Sequence, residues 1–182
     1  APGSPERAAV KKAIQEMKSQ EVDIPMIING KEVRTDDRKR IFPPHELQHT
    51  LGYYHQGAEK EVNMAIKAAL DAKQSWMELD WGERASIFLK AADMLAGPYR
   101  ARMNAATMLG QSKNVHQAEI DAACELIDFY RFNVKYLEEI YEMQPNSSPQ
   151  QWNSIEWRPL EGFIFALTPF NFTSIAGNLP AA

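Results

Sequence analysis

Gly162 to Thr168 is an unbroken apolar run, Gly-Phe-Ile-Phe-Ala-Leu-Thr, with Pro169 directly after it. A short run of aromatic and β-branched residues without polar alternation reads as a strand buried on both faces, and such a strand belongs in a parallel sheet. Pro169 cannot donate to a ladder, so the strand ends there, and the Ser/Thr-flanked run from Thr173 to Leu179 predicts the start of a helix. Asn171 then lies at the carboxyl end of a strand, the place where open α/β sheets bind ligands.

A primary amide at such a turn can aim two N–H donors into a cleft without carrying charge. That suits an oxyanion that forms only in a transition state. The same side chain can instead bond its own backbone and stabilise the turn. These residues alone leave both readings open.

The composition narrows the partners. With 45% hydrophobic and 24% charged residues among 182, a core is expected. A net charge of −4 and a pI near 5.6 provide no basic field, and no Lys/Arg stripe is interleaved with aromatics, so nucleic acid is not an expected partner. No run approaches the roughly 18 apolar residues of a membrane span. Ala1-Pro2-Gly3-Ser4 resembles neither a signal peptide nor an Arg-rich transit peptide, so the chain reads as mature and soluble. Cys124 is the only cysteine, which excludes an internal disulfide and favours a reducing compartment.

From the amino terminus, Ser4-Pro5-Glu6 is a helix start, followed by Val10, Ile14 and Met17 on one face. Ile24 to Ile28, Asn29-Gly30 and Lys31 to Arg34 form a hairpin signal, because both turn residues tolerate positive φ. Short strands are expected at Arg40 to Phe42 and Thr50 to Tyr54. His45, His49 and His55 include a His-x3-His ligand spacing, but Pro43-Pro44 argues against a helix there and no Cys or tight carboxylate cluster completes a metal set.

Four helices are then expected. Val62, Ile66, Leu70 and Trp76-Met77 mark a core-facing stripe on the first; Ala85, Phe88, Leu89, Ala92 and Leu95 mark another on the second, which stops at Gly97-Pro98. The third runs from Pro98 to Gly110. The fourth runs from about Asn114 to Glu142 as a central packed helix, with Cys124 as a small buried hydrophobe. Glu125 reads from its spacing as a solvated helix acid. Gln144 to Gln151 is a loop by composition, and Trp152 to Trp157 alternates as an exposed strand would.

Thr168-Pro169-Phe170-Asn171-Phe172 resembles the Pro-aromatic-Asn-Phe motif of the aldehyde dehydrogenase family. The segments 88–95, 108–113 and 117–123 resemble its branch of Δ1-pyrroline-5-carboxylate (glutamate-γ-semialdehyde) dehydrogenases. The resemblance implies the amino-terminal part of that α/β fold, a β-hairpin and helices leading into the first strand of a Rossmann-like parallel sheet. It implies a helical portion over 1–144, a loop and oligomerisation strand over 145–158, and a strand-turn-helix over 159–182. It also implies NAD as cofactor, glutamate semialdehyde as substrate, a homodimer and the mitochondrial matrix.

In residue terms, the resemblance makes Asn171 the catalytic oxyanion donor. Leu167, Thr168, Pro169 and Phe170 border the cofactor, and Glu125 and Phe172 approach the substrate. The family's catalytic cysteine and glutamate base fall beyond residue 182, so this chain alone is expected to be inactive. Two alternatives stand beside this reading: another branch of the family acting on a different aldehyde, and a non-catalytic piece that associates through residues 152–157.

Overall fold

A computed structural model describes residues 1–177. The chain is a mixed α/β structure with a three-stranded sheet, a two-stranded hairpin and a layer of helices. Helix α1 (Pro5–Lys18) is capped as its sequence requires, the Ser4 hydroxyl accepting from the Arg7 N–H at 3.3 Å with Pro5 at the first position. Strand β1 (Val22–Ile24) pairs in parallel with β5 (Gly52–His55), which pairs antiparallel with β4 (Arg38–Ile41). Strands β2 (Met26–Ile28) and β3 (Lys31–Val33) form the expected hairpin, and Asn29 and Gly30 both take positive φ (52° and 69°).

The hairpin is shorter than its sequence suggests because Pro25 interrupts it. With no N–H at that position the chain changes partner, Val22–Ile24 joining β5 and Met26–Ile28 joining β3. Gly52 is required where β5 passes β1, since a Cβ there would run into the Val22 carbonyl. His55 is buried between these strands. Its Nε2 lies 3.0 Å from Asp23 Oδ1 and its Nδ1 lies 2.9 Å from the Thr35 nitrogen and 2.7 Å from the Thr35 carbonyl oxygen, while His45 is elsewhere, its Nδ1 2.7 Å from Ser112 Oγ.

The helices follow as α2 (Glu59–Glu78), α3 (Trp81–Ala96), α4 (Arg100–Gln111), the single turn α5 (Val115–Ala118), a π-helical segment (Glu119–Cys124) and α6 (Glu125–Glu142). Asp80 caps α3, accepting from the Gly82 N–H at 2.8 Å. Helix α4 passes through Gly110 and ends one residue later, where Ser112 takes a left-handed conformation (φ 55°). The core sits where α3 crosses the π segment and α6. Ala92, Ala123 and Ile127 are almost fully buried there, with Leu95, Ala96 and Tyr130 around them. Small side chains at the crossing let the helices approach, and Trp81 stacks on Tyr141 with centroids 5.3 Å apart.

The structure corrects several expectations. The long helix is not uniform: one π turn divides it, and Cys124 is half-buried rather than buried. The stripe on α2 is not covered among the described residues, since Val62, Leu70 and Trp76 are exposed. Neither Trp152–Trp157 nor Gly162–Thr168 forms a strand. A strand needs a neighbour for its N–H and C=O groups, and among the described residues these segments have none; the one isolated bridge nearby, Ser148 with Gln151, precedes both.

The apolar run is therefore exposed, not buried on both faces. The predicted helix from Thr173 appears as a 3₁₀ turn at Ile175–Gly177, and its remainder, residues 178–182, lies outside the described residues. Among the described residues no helix is long and apolar enough to cross a membrane.

Candidate functional site

The site is built where α4 stops. Ser112 in the left-handed conformation turns the chain off the helix, and Asn114 begins α5 with a reciprocal cap: its Oδ1 accepts from the Gln117 N–H and the Gln117 Oε1 accepts from the Asn114 N–H, both at 3.0 Å. Between these two turns Lys113 projects toward the segment after Pro169. Its Nζ donates to the Asn171 carbonyl at 2.8 Å, lies 4.5 Å from the centre of the Phe172 ring, and pairs with the Asp121 carboxylate on the π segment.

Gln111 completes the enclosure. With its amide assigned so that the oxygen faces the N–H groups of Phe172 (3.1 Å) and Thr173 (3.2 Å), which the opposite assignment would set against a donor, its nitrogen donates to the Asn171 carbonyl at 3.0 Å. One turn further on, Ser174 Oγ donates to the Ala122 carbonyl at 2.8 Å. The main chain of the Phe170–Ser174 turn is thus held by α4 and the π segment together. The Asn171 side chain is exposed and makes no hydrogen bond among the described residues. Bonding of its own backbone, the turn-stabilising alternative, is not what this geometry contains.

The other expected site residues divide into two groups. Leu167, Thr168, Pro169 and Phe170 lead into the turn in irregular, exposed chain, and Phe172 is half-buried beneath Lys113. Glu125 is not brought to them. It stands exposed at the start of α6 and lines a shallow cleft of about 400 Å³ with Asp128, Phe129, Phe132, Asn133 and Tyr136.

A third constellation lies between α1, α4 and the π segment, in a cleft of about 760 Å³. Burial pushes the Glu119 carboxyl up, but hydrogen bonds from Arg100 and Asn104 outweigh it and hold the group below the usual glutamate range. Burial, together with the Glu119 charge, pushes the neighbouring Cys124 thiol up. A thiol so placed is a poor nucleophile.

Sequence reasoning gave no role to Gln111, Lys113, Asp121 or Ser174, since bonds spanning such separations have no local signature. The π segment did leave a trace. Ala118, Ala122, Leu126, Tyr130 and Val134 are spaced by fours, and in a uniform α-helix each such step drifts by about 40°. A stripe that keeps facing the core at that spacing calls for a wider turn.

Comparison with known proteins follows the same outline. The model of the aldehyde dehydrogenase family matches residues 33–179. The chain is 53% identical to the Δ1-pyrroline-5-carboxylate dehydrogenase of Agaricus bisporus over 184 aligned positions, covering 100% of this chain and 34% of that protein. It is 48% identical to the mitochondrial enzyme of that name from Homo sapiens, covering 99% and 32%. The crystal structure of the Mycobacterium tuberculosis enzyme bound with NAD superposes with a TM-score of 0.96 at 49% identity, over 100% of this chain and 34% of that one. The chain thus spans about a third of the length of these relatives. With the family model matched over most of its length, the chain belongs to the aldehyde dehydrogenase family and forms an amino-terminal part of that fold.

Proposed function

We propose that this chain is the amino-terminal third of an NAD-dependent aldehyde dehydrogenase that oxidises L-glutamate γ-semialdehyde, the open form of Δ1-pyrroline-5-carboxylate, to L-glutamate in proline degradation. The observation that carries this reading is identity near one half, along the whole chain, to proteins named for that one activity. The glutamate-semialdehyde branch is favoured over other aldehydes on the same ground, and kinetics with a panel of aldehydes separates them.

Asn171 is the group this chain supplies to the chemistry. Its two amide N–H donors hold the oxygen of the aldehyde as that oxygen gains charge, a task for which donors that need no reorganisation are worth most. The nucleophilic cysteine and the base that activates water belong to the family's sequence beyond residue 182. NAD, when bound, supplies the hydride acceptor. The segment before Asn171 fits such a ligand, because Leu167, Thr168 and Pro169 are exposed and their main-chain groups make no hydrogen bond among the described residues. Phe170 borders the same ligand and Phe172 walls the substrate stem; the approach of Glu125 to the substrate rests on the family resemblance alone, since Glu125 lines a separate cleft.

The finer organisation belongs to the same proposal. Residues 1–144 form the helical portion, 145–158 a subunit-pairing segment and 159–182 the first strand-turn-helix of a Rossmann-like sheet completed by later residues. Exposed Trp152, Ile155 and Trp157 support the pairing of a homodimer. The mitochondrial matrix is the proposed compartment, supported by the name of the human relative. In the full-length enzyme Asn171→Ala lowers kcat by roughly 10²–10³ with a much smaller change in KM. An unchanged kcat would remove Asn171 from the chemistry.

A further inference from the structure

Gln111 is the last residue of α4 and Lys113 stands just beyond it, and the reaction as described gives neither a task. Their geometry does. A peptide unit offers one acceptor edge and one donor edge. In the unit joining Asn171 to Phe172, both edges are held by the Gln111 amide in the orientation its neighbours dictate, its nitrogen on the Asn171 carbonyl (3.0 Å) and its oxygen on the Phe172 N–H (3.1 Å).

Lys113 Nζ gives the same carbonyl a second donor at 2.8 Å. It is not a free surface cation. Its side chain and that of its partner Asp121 are only 20% and 15% exposed, and the Phe172 ring lies beside the ammonium. Holding the plane of that peptide fixes ψ at Asn171 and so limits where its Cα–Cβ bond can point. The bonds stop at the main chain, which leaves the side-chain amide unspent.

We infer that Gln111 and Lys113, with Asp121 behind Lys113, are positioning residues that hold the Asn171 main chain so that its side-chain N–H groups stay in one orientation. The inference rests on the reading of Asn171 as the oxyanion donor. Misplacement of a reacting group by about 1 Å can cost on the order of 10²-fold in rate, so a clamp on this one peptide reaches the turnover number without touching substrate.

The test is steady-state kinetics of the full-length enzyme with NAD and glutamate semialdehyde, for Lys113→Met, Gln111→Met, Lys113→Arg, Asn171→Ala and the double variant Lys113→Met/Asn171→Ala. Lys113→Met and Gln111→Met are each expected to lower kcat by about tenfold or more with KM within about twofold. Lys113→Arg, which keeps a donor for the carbonyl, is expected to recover most of that loss. In the double variant the Lys113 change is expected to add no more than about twofold to the loss from Asn171→Ala, because the group it orients is already gone.

Full additivity in the double variant overturns the inference, as does a wild-type kcat in both methionine variants alongside a normal loss in Asn171→Ala. A wild-type kcat in Asn171→Ala overturns the reading beneath it, and the positioning role falls with it. Should Lys113→Met fail to fold, Gln111→Met, which removes only uncharged bonds, supports or overturns the inference by the same comparison.

Discussion

The helix layer buries apolar side chains where α3 crosses the π segment and α6, whereas the segment from Gly162 to Phe172, richer in large apolar residues, leaves most of them exposed. In the layer, Ala92, Ala123 and Ile127 are 0–3% exposed; in the segment, Phe165, Leu167 and Phe170 are 78%, 81% and 96% exposed. The difference lies in how each kind of backbone satisfies itself. A helix closes its hydrogen bonds within its own length, so α3 and α6 need only each other to bury a stripe. A strand draws its bonds from neighbours, and no described residue provides one here. Apolarity states that a side chain gains by leaving water; it does not state which segment will cover it. Burial of each large side chain of this run is worth roughly 1.5–3 kcal/mol to whatever covers it.

The sharpest break of this contrast is Ile127→Ala. At 3% exposure between α3 and α6, this truncation is expected to cost about 2–5 kcal/mol, read as a lowered urea midpoint for the 182-residue chain. Glu119 supplies a middle-sized effect that depends on pH. Its folded pKa is depressed, so its contribution is fully present above the unfolded value of about 4.3 and lost as pH falls through the lower folded value. Solvent screening limits it to about 1 kcal/mol. Urea midpoints of wild type and Glu119→Gln, taken from pH 6 downward, should therefore differ most near pH 6 and converge in acid. Leu167→Ser completes the series with about 0.5 kcal/mol or less in the same chain, because a side chain already in water loses nothing. A large loss there would mean that this chain covers the run, and would erase the contrast.

These outcomes bear on what the sequence could say. Elements whose determinants are local were legible: Asn29-Gly30 announced its hairpin, Ser4-Pro5-Glu6 its helix start, and Gly97-Pro98 the end of α3. The change of partner at Pro25 was hidden because it depends on β5 arriving from more than twenty residues away. Asn171 was singled out through its surrounding motif, and its side chain is exposed and unbonded among the described residues. Its supports were not legible, since Gln111 and Lys113 read in sequence as an ordinary helix end and acquire their role only when residues 58 positions later fold back onto them.

The π segment carries a consequence of a different kind. Each residue of an α-helix turns the chain by about 100° and advances it by about 1.5 Å. A π turn bonds i to i+5 and so holds one residue more than an α turn. Loss of a single residue from Glu119–Cys124 would let it close as an α turn with Glu125 to Glu142 near its present bearing, whereas loss of Leu126 would swing Ile127 and Tyr130 away from α3 by about 100°. The segment acts as slack between two halves of one rod: a residue can be given up there without re-aiming α6, and nowhere else along the rod.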